Sequence, residues 1–403
     1  MKILHTSDWH LGHRLHEHLQ QYEQEKFLKW LIDLINDQNI DVLLVAGDIF
    51  DTAYPSTQSQ EMFYRFLAEI HRKTNCQEVV MTAGNHDAPG TINAPDNFVR
   101  YFNIKLVGKA SENVQDEIFG FDIGGEKLIV AAVPFLRDRD IRRAIAGENA
   151  LDIENRYKKA LINHYNDVAN IIENQNKDNA FIIAMGHLFA IGGQPSDSEN
   201  RIYVGGLGDI KASDFPAIFD YVALGHLHRP QKVDKKEHIR YSGSPYPLSF
   251  SEIANTKKVI IIETKENKLH SVDEVKIPRF RQLYTIKGTL EYCKNALKEK
   301  AAKPGEPTPF AEVIIDQQDV VSTAYAEINE VVHNKNIKVL KVRVLNKNNV
   351  LGIEQLIEED KKLNELRPED IFKKKCNERD FDLTKNKEIL DAFNEILSMV
   401  NEN

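Results

Sequence analysis

Five short motifs carry closely spaced Asp, Asn and His residues, and each motif follows an apolar run. They are Asp8-Trp9-His10, Gly47-Asp48-Ile49-Phe50-Asp51, Gly84-Asn85-His86-Asp87, Gly186-His187 and Gly225-His226-Leu227-His228. In α/β proteins, ligands bind outside the carboxyl ends of the strands. If the five strand ends converge, nitrogen and oxygen ligands meet in one crevice, and the motifs predict a metal site there.

The spacing within the motifs has a physical reason. Asp8 and His10 are two residues apart, as are His226 and His228. An extended backbone therefore points both members of a pair the same way. The glycines that precede four of the candidate ligands let the chain turn sharply and approach an ion closely.

The candidate ligands are two Asp, one Asn and four His, with no Cys. They are Asp8, His10, Asp48, Asn85, His187, His226 and His228. Such a set suits Mn²⁺, Fe²⁺ or Zn²⁺ better than Ca²⁺ or Mg²⁺. Seven ligands are too many for one tetrahedral ion, so we predict two divalent ions that share a carboxylate, with Mn²⁺ as the expected metal. Paired ions stabilise the attacking and leaving oxygens in phosphoryl displacement.

The elements that must position these residues alternate along residues 1–278. Val-, Ile- and Leu-rich runs that stop at polar or glycine residues predict buried strands. These strands are Lys2–Thr6, Val42–Ala46, Val79–Thr82, Phe181–Met185 and Tyr221–Leu224. Helices fit Gln21–Asp37, Ser56–Thr74 and Leu151–Glu173, and a hairpin fits Lys257–Thr264 with Leu269–Lys276. The order of elements predicts a layered α/β domain.

The pattern changes after Pro278. Residues 279–348 predict a small α/β domain of the order β-α-β-α-β. Its elements are Gln282–Ile286, Leu290–Ala301, Phe310–Ile315, Thr323–Val332 and Ile337–Val344. Residues 349–403 form a charged segment whose apolar residues have helical spacing. That segment is predicted to be either a helix packed on its own domain or a helix that binds a partner.

Composition and net charge bear on the expected partners, the state of the cysteines and the compartment. The formal net charge of −9 argues mildly against nucleic-acid binding, although two divalent ions or a local basic patch would offset it. Cys76, Cys293 and Cys376 are far apart and predict reduced structural thiols. We find neither an apolar run that could span a bilayer nor a signal peptide, and expect a cytoplasmic protein.

The five motifs, in this order, resemble those of the calcineurin-like metallophosphoesterases. The resemblance implies that Asp8, His10 and His228 hold one metal and that Asn85, His187 and His226 hold the other, with Asp48 bridging them. It further implies that His86 is a catalytic histidine rather than a ligand. Asp51 would supply the carboxylate that orients His86, fixing its tautomer.

Within this superfamily, the sequence resembles one branch in particular. Residues 3–12 and 46–52 are similar to those of the SbcD branch, the double-strand-break repair nucleases. This implies a sandwich of two mixed sheets flanked by helices, a small α/β cap domain that orients DNA, and a helical C-terminal tail that binds the coiled-coil ATPase SbcC. It also implies a homodimer formed through helices at Ser56–His71 and Asp96–Phe102.

The expected function is metal-dependent hydrolysis of DNA, as a double-strand exonuclease and a single-strand or hairpin endonuclease. The chain has no G-x-x-x-x-G-K-[ST] motif, so any ATPase must be another polypeptide. Two alternatives stay open: a small-substrate phosphodiesterase or phosphatase of the same superfamily, and a non-catalytic scaffold at DNA ends. Turnover of DNA against a small aryl phosphodiester discriminates among the three.

Other polar residues are expected to have ordinary roles. His16 and His18 have no strand-end context and are not expected to bind metal, and His13 is predicted to be a solvated loop residue. The run after Pro134 is predicted to be a solvated face rather than a phosphate contact. Its arginines are Arg137, Arg139, Arg142 and Arg143.

Overall fold

The structure, a computed structural model, describes residues 1–137, 140, 150–176, 178–190, 193, 210–316 and 324–345. Of the described residues, those up to 315 and those at 324–343 belong to one compact unit, and residues 316, 344 and 345 fall outside it. The predicted helical segment 349–403 lies outside the described residues, as do the arginines at positions 139, 142 and 143 and the cysteine at 376.

The described strands and α-helices are numbered in chain order. The strands are β1 (Lys2–Thr6), β2 (Arg14–Leu15), β3 (His18–Leu19), β4 (Val42–Ala46), β5 (Glu78–Thr82), β6 (Ile104–Val107), β7 (Ile118–Ile123), β8 (Glu126–Ala132), β9 (Phe181–His187), β10 (Tyr221–Gly225), β11 (Gln231–Lys232), β12 (Ile239–Tyr241), β13 (Lys258–Lys265), β14 (Lys268–Lys276), β15 (Leu283–Gly288), β16 (Phe310–Asp316) and β17 (Lys338–Leu345). The helices are α1 (Gln21–Gln38), α2 (Thr57–Lys73), α3 (Pro89–Asn93), α4 (Asp96–Val99), α5 (Ala150–Gln175), α6 (Leu290–Glu299) and α7 (Ala324–Val332).

Two six-stranded mixed sheets form the larger part of the molecule. The first has the order β14-β13-β1-β4-β5-β6, and the second has the order β11-β12-β10-β9-β8-β7. In the first sheet β1, β4, β5 and β6 are parallel, while β13 runs antiparallel to β1. In the second sheet β8, β9, β10 and β12 are parallel. Five of these parallel strands, β1, β4, β5, β9 and β10, lead directly into the five motifs.

The central strands of the two sheets are buried on both faces. An apolar cluster that includes Leu44, Val130 and Ile183 lies between them. Residues of α1 and α2 cover the outer face of the first sheet, and residues of α5 cover that of the second. Burial on both faces explains why β4 reads Val-Leu-Leu-Val-Ala without alternation. The sandwich of two mixed sheets flanked by helices, expected from the sequence, is confirmed.

Local signals set the helix limits. Ser56 caps α2 by accepting a hydrogen bond from the backbone N–H of Ser59. The chain leaves α1 through Asn39 in the left-handed conformation. Among the described residues, every helix is too short or too polar to cross a membrane.

A separate three-stranded sheet, β15-β16-β17, lies in the segment predicted to be a small α/β domain. Leu283 and Phe310 of this sheet pack with Leu15 and Phe250 of the larger part. The β2–β3 hairpin contributes to the same contact. His16 stacks on Phe250 with ring centroids 5.6 Å apart, and His18 lies 6.0 Å from Phe310. His18 therefore contacts the three-stranded sheet, while His16 contacts the larger part.

Candidate metal centre

Backbone and side-chain hydrogen bonds connect the motif loops to one another. The Asp8 N–H donates to the Gly47 carbonyl at 3.0 Å, and the His226 N–H donates to Asp8 Oδ1 at 2.8 Å. The His86 N–H donates to Asp48 Oδ1 at 2.9 Å. The loops after β1, β4, β5 and β10 therefore form one continuous site.

The seven candidate ligands come together at this site. Ligand atoms of Asp8, His10 and His228 lie within 4.8 Å of one another, as do those of Asp8, Asp48 and His187. A third group of the same size contains His10, Asp48 and His86. Asp8 and Asp48 each belong to two of these groups, so the carboxylates lie between the clusters of imidazoles.

Asn85 joins the remaining histidines to the cluster. Its Oδ1 lies 3.0 Å from His187 Nε2 and 3.1 Å from His226 Nδ1. Asp48 Oδ2 lies 3.2 Å from His187 Nε2 and 3.5 Å from His10 Nε2. The carboxylate of Asp48 therefore faces a histidine of each predicted metal position.

The extended backbone expected for the Asp8–His10 and His226–His228 pairs is wrong at three of these residues, because four of the candidate ligands have a positive φ. Asp8, His10, Asp48 and His226 have φ values of 52°, 44°, 48° and 104°. Positive φ is uncommon for residues other than glycine, and such strain concentrates at functional sites. The loops also approach very closely, because a Cβ on Gly84 would lie 2.1 Å from Asp48 Oδ1. Only glycine fits there without displacing the carboxylate.

The buried groups fit divalent metal ions. Asp8, His10, Asp48, His187, His226 and His228 are all buried, and the His10 Nε2 atom makes no hydrogen bond. A buried imidazole nitrogen without a hydrogen bond is costly unless a ligand occupies it. Two carboxylates, four imidazoles and one amide oxygen match the preferences of Mn²⁺, Fe²⁺ or Zn²⁺.

Burial and neighbouring charges shift the pKa of several groups in the cluster. Burial alone would raise the pKa of Asp48, but the neighbouring His187 imidazole holds it well below its usual range. Burial alone would lower the pKa of His187, but Asp48 raises it to about 9. Burial lowers the pKa of His10 and raises that of Asp8. The Asp48 carboxylate and the His187 imidazole therefore stabilise each other's charged form.

The expected pairing of the Asp51 carboxylate with His86 is wrong. His86 Nδ1 lies 2.7 Å from the backbone carbonyl of Asp51. The Asp51 carboxylate instead accepts a hydrogen bond from His13 Nδ1 at 2.7 Å and lies 3.3 Å from His10 Nδ1. Asp51 fixes the His86 ring through its main chain, and its side chain serves two other histidines.

Two surface predictions are also wrong. His13 is not solvated, because its Nε2 also contacts the Leu248 carbonyl at 3.0 Å. Arg137 donates to the backbone carbonyl of Asp87 at 2.5 Å and lies over the Phe135 ring at 5.8 Å. Arg137 therefore supports the loop that carries Asn85 and His86.

Asp87 has a role that the sequence motif did not reveal. Its buried carboxylate accepts hydrogen bonds from the backbone N–H groups of Ile49, Phe50 and Gly84, at 3.0, 2.9 and 2.9 Å. Burial, and then the nearby Asp48 carboxylate, raise the pKa of Asp87 to about 6. Asp87 thereby joins the loops after β4 and β5.

A second buried carboxylate lies behind His228. Glu252 Oε1 is 3.5 Å from His228 Nδ1, and Glu252 Oε2 is 2.6 Å from the Lys257 ammonium. Burial alone would raise the pKa of Glu252, but Lys257 holds it well below its usual range. Lys257 also donates to the His228 carbonyl at 3.0 Å and to Ser244 Oγ at 2.7 Å.

Comparison with known families shows that this site lies in a segment that matches a known family. Residues 1–230 match the calcineurin-like phosphoesterase family, and this segment contains all seven candidate ligands. The chain is a calcineurin-like phosphoesterase. Residues 279–380 of this phosphoesterase match a second family, the type 5 capsule protein repressor C-terminal domain.

Curated relatives narrow the family further. The chain is 33% identical over 344 residues to the SbcD subunit of the SbcCD nuclease of Escherichia coli strain K12, covering 85% of each protein. It is 34% identical over 281 residues to the SbcD subunit of the SbcCD nuclease of Bacillus subtilis strain 168, covering 68% of this chain and 69% of the relative. This phosphoesterase therefore belongs to the SbcD branch.

Proposed function

We propose that this protein is a metal-dependent DNA nuclease that works with an SbcC-type ATPase. The observation that carries the proposal is the convergence of all seven candidate ligands in a chain that is 33% identical to the SbcD subunit of an SbcCD nuclease. Hydrolysis of a phosphodiester at paired metals accounts for a buried site so rich in carboxylates and imidazoles.

In the proposed centre, Asp8, His10 and His228 hold one metal, and Asn85, His187 and His226 hold the other. Asp48, which faces histidines of both groups, bridges the two. When bound, the ions supply charge neutralisation of the phosphate oxygens and lower the pKa of water. Mn²⁺ is the proposed metal, since nitrogen and oxygen donors without thiolate suit it.

His86 is proposed to handle the proton of the leaving oxygen. Its Nδ1 lies 2.7 Å from the Asp51 carbonyl, which can only accept a hydrogen bond. Nδ1 must then carry the hydrogen, so Nε2 is the nitrogen that exchanges a proton with substrate. To act as a general acid, His86 must also carry a proton on Nε2, and it transfers that proton to the leaving oxygen while Nδ1–H stays bonded to the Asp51 carbonyl.

We propose a separate role for each of three segments of the chain. Residues 1–278 form the nuclease domain, residues 279–348 form the cap that orients DNA, and residues 349–403 bind the ATPase. The separate sheet β15-β16-β17 supports the first boundary. The curated relatives come from bacteria, where DNA lies in the cytoplasm, and we place the protein in that compartment.

The test uses the full-length protein and an end-labelled blunt duplex with Mn²⁺, with and without the SbcC-type partner and ATP. Mn²⁺-dependent degradation that partner and ATP extend supports both the chemistry and the complex. If DNA stays intact while bis(4-nitrophenyl) phosphate is hydrolysed, the protein is a small-substrate phosphodiesterase. If neither is cleaved and duplex ends are bound, it is a scaffold.

A homodimer through α2 and the segment Asp96–Phe102 is also proposed. Tyr64, Phe98 and Tyr101 are 40%, 66% and 86% exposed, which is unusual for large apolar side chains. The Phe102 ring lies 4.8 Å from His71 of α2 and 5.3 Å from Phe98, so the two segments form a continuous face. A second copy of the same face would cover these aromatic rings.

Replacing Phe98 with Glu is predicted to convert the dimer to a monomer, because it places a charge on the apolar face. Sedimentation velocity of the full-length protein measures the change. Tyr292→Glu is the control, since Tyr292 is also an exposed aromatic residue but lies on the small domain. A wild-type protein that sediments as a monomer would contradict the dimer and leave the proposed chemistry untouched.

A further inference from the structure

Two histidines of the Asp8–His10–His228 group each have a carboxylate behind the ring. His10 turns Nε2 towards Asp48 and has Asp51 Oδ1 at 3.3 Å from Nδ1. His228 has Glu252 Oε1 at 3.5 Å from Nδ1. Neither Asp51 nor Glu252 belongs to the seven candidate ligands.

His187, on the other side of Asp48, has a different neighbour. Its Nδ1 lies 3.1 Å from the backbone carbonyl of Ala46. A carbonyl orients an imidazole by hydrogen bonding, but it lacks the negative charge that makes a carboxylate-backed imidazole a stronger donor. The Asp8–His10–His228 group therefore has two negative charges in its outer shell that His187 lacks.

Glu252, Lys257 and His228 contact one another. Lys257 Nζ donates to Glu252 Oε2 at 2.6 Å and to the His228 carbonyl at 3.0 Å, while Glu252 Oε1 faces the His228 ring. Lys257 and Glu252 are both buried. The same ion pair thus contacts both the backbone and the ring of His228.

We propose that Glu252 and Asp51 are positioning residues for a single metal position, the one at Asp8, His10 and His228. Glu252, beside His228 Nδ1, would orient His228. The charge of Asp51, which lies 3.3 Å from His10 Nδ1 without a hydrogen bond, would favour Nε2 of His10 as the metal-binding nitrogen. Lys257 fixes Glu252 in place. The inference rests on the proposed metal centre and assigns two outer-shell carboxylates to its Asp8–His10–His228 position, whereas His187 of the other position has the Ala46 carbonyl instead.

The experiment measures Mn²⁺ binding rather than turnover. Full-length protein is stripped with chelator and titrated with Mn²⁺, using calorimetry for affinity and electron paramagnetic resonance to distinguish a coupled pair from an isolated ion. Wild type is expected to bind two ions as a coupled pair. Glu252→Gln is expected to weaken one ion by about 10- to 100-fold and to leave the affinity of the other unchanged.

Asp51→Asn is expected to weaken the same ion, because it acts on His10 and retains the backbone carbonyl that faces His86. In both variants an isolated-ion spectrum appears at Mn²⁺ concentrations that give the coupled spectrum in wild type. Glu252→Asp should recover part of the affinity. Glu274→Gln is the control, since Glu274 pairs with Arg240 and Lys258 outside the candidate site.

Wild-type affinity for both ions in Glu252→Gln and Asp51→Asn would overturn the inference, as would equal weakening of both ions. Thermal melting without metal shows whether each variant is folded. If Glu252→Gln does not fold, Asp51→Asn decides the question alone. If the wild-type protein binds no Mn²⁺ pair, the proposed centre itself is wrong, and this outcome differs from the loss of one ion in the variants.

Discussion

The His86 imidazole shows how a main-chain contact can select a catalytic nitrogen. Because the Asp51 carbonyl can only accept, Nδ1 carries the hydrogen and Nε2 remains available. His10 lies close by, with its ring centroid 4.9 Å from that of His86. His86 is therefore beside the candidate metal ligands while its own Nδ1 is already engaged.

Replacing His86 with Ala is predicted to lower kcat for DNA cleavage by about 10²- to 10⁴-fold, the usual contribution of a general acid. Mn²⁺ binding should be unchanged, because His86 is not a proposed ligand. Quench-flow cleavage and Mn²⁺ titration of the same preparation measure the two quantities. Cleavage at the wild-type rate with both ions bound would exclude a catalytic role for His86.

The convergence of the candidate ligands could be predicted from sequence because each of them lies at or just after the end of a parallel strand. Asp8 and His10, for example, share one loop after one strand. The role of Asp51 could not be predicted, since it depends on which neighbours its carboxylate reaches once Leu248 and His13 are folded beside it. Glu252 lies far along the chain from His228 and has no motif of its own.

At the scale of elements, Asp87 connects two strand-end loops that hold candidate ligands. Three backbone N–H groups converge on one buried carboxylate, one from the loop after β5 and two from the loop after β4. Buried N–H groups that lose such an acceptor are costly to leave unpaired. The geometry of Asp48 and Asn85 therefore depends on Asp87.

Asp87→Ala is predicted to lower the free energy of unfolding by about 3 kcal/mol, because three buried donors lose a charged acceptor. Urea denaturation of the metal-free protein measures it. Asp122→Ala is the control: Asp122 is an exposed residue that pairs with Lys127, and its removal should have little effect. Equal midpoints for the two variants would show that Asp87 does not stabilise the loops.

Prediction of the elements succeeded where burial gives a continuous apolar run. The observed β1 and β4 have the predicted limits, Lys2–Thr6 and Val42–Ala46. The β7–β8 hairpin was not predicted, although Gly124 and Gly125 mark its turn. Its first strand is only partly buried and contains Gly120 and Asp122, so its composition does not separate it from a loop.

For the whole molecule, Arg281 connects the larger part to the small domain. It forms an ion pair with Glu23 of α1, and its Nη1 donates to the Thr308 carbonyl at 2.6 Å. Its guanidinium lies 4.3 Å from the centre of the Phe310 ring. Glu23 is buried, so Arg281 also compensates a charge that would otherwise be isolated. Arg281 thus adds polar contacts to the apolar cluster that holds the β15-β16-β17 sheet against the larger part.

Arg281→Ala is predicted to affect cleavage of duplex DNA much more than hydrolysis of a small phosphodiester. Duplex cleavage should fall by about 10- to 100-fold, because the role in DNA orientation proposed for residues 279–348 depends on the position of the β15-β16-β17 sheet. Turnover of bis(4-nitrophenyl) phosphate should stay close to that of wild type, since no candidate ligand contacts Arg281. Steady-state kinetics on both substrates measure the effect.

Arg279→Ala is the matched control for this prediction. Arg279 lies two residues away and donates to the Ile253 carbonyl, but that contact is exposed. If Arg281→Ala and Arg279→Ala both left duplex cleavage intact, the orientation of the small domain would not matter for DNA. If Arg281→Ala lowered both activities equally, its effect would reach the metal centre through α1, because Gln24 of that helix donates to the His10 carbonyl at 3.2 Å. A selective loss on duplex DNA is therefore the result that assigns DNA orientation to the small domain.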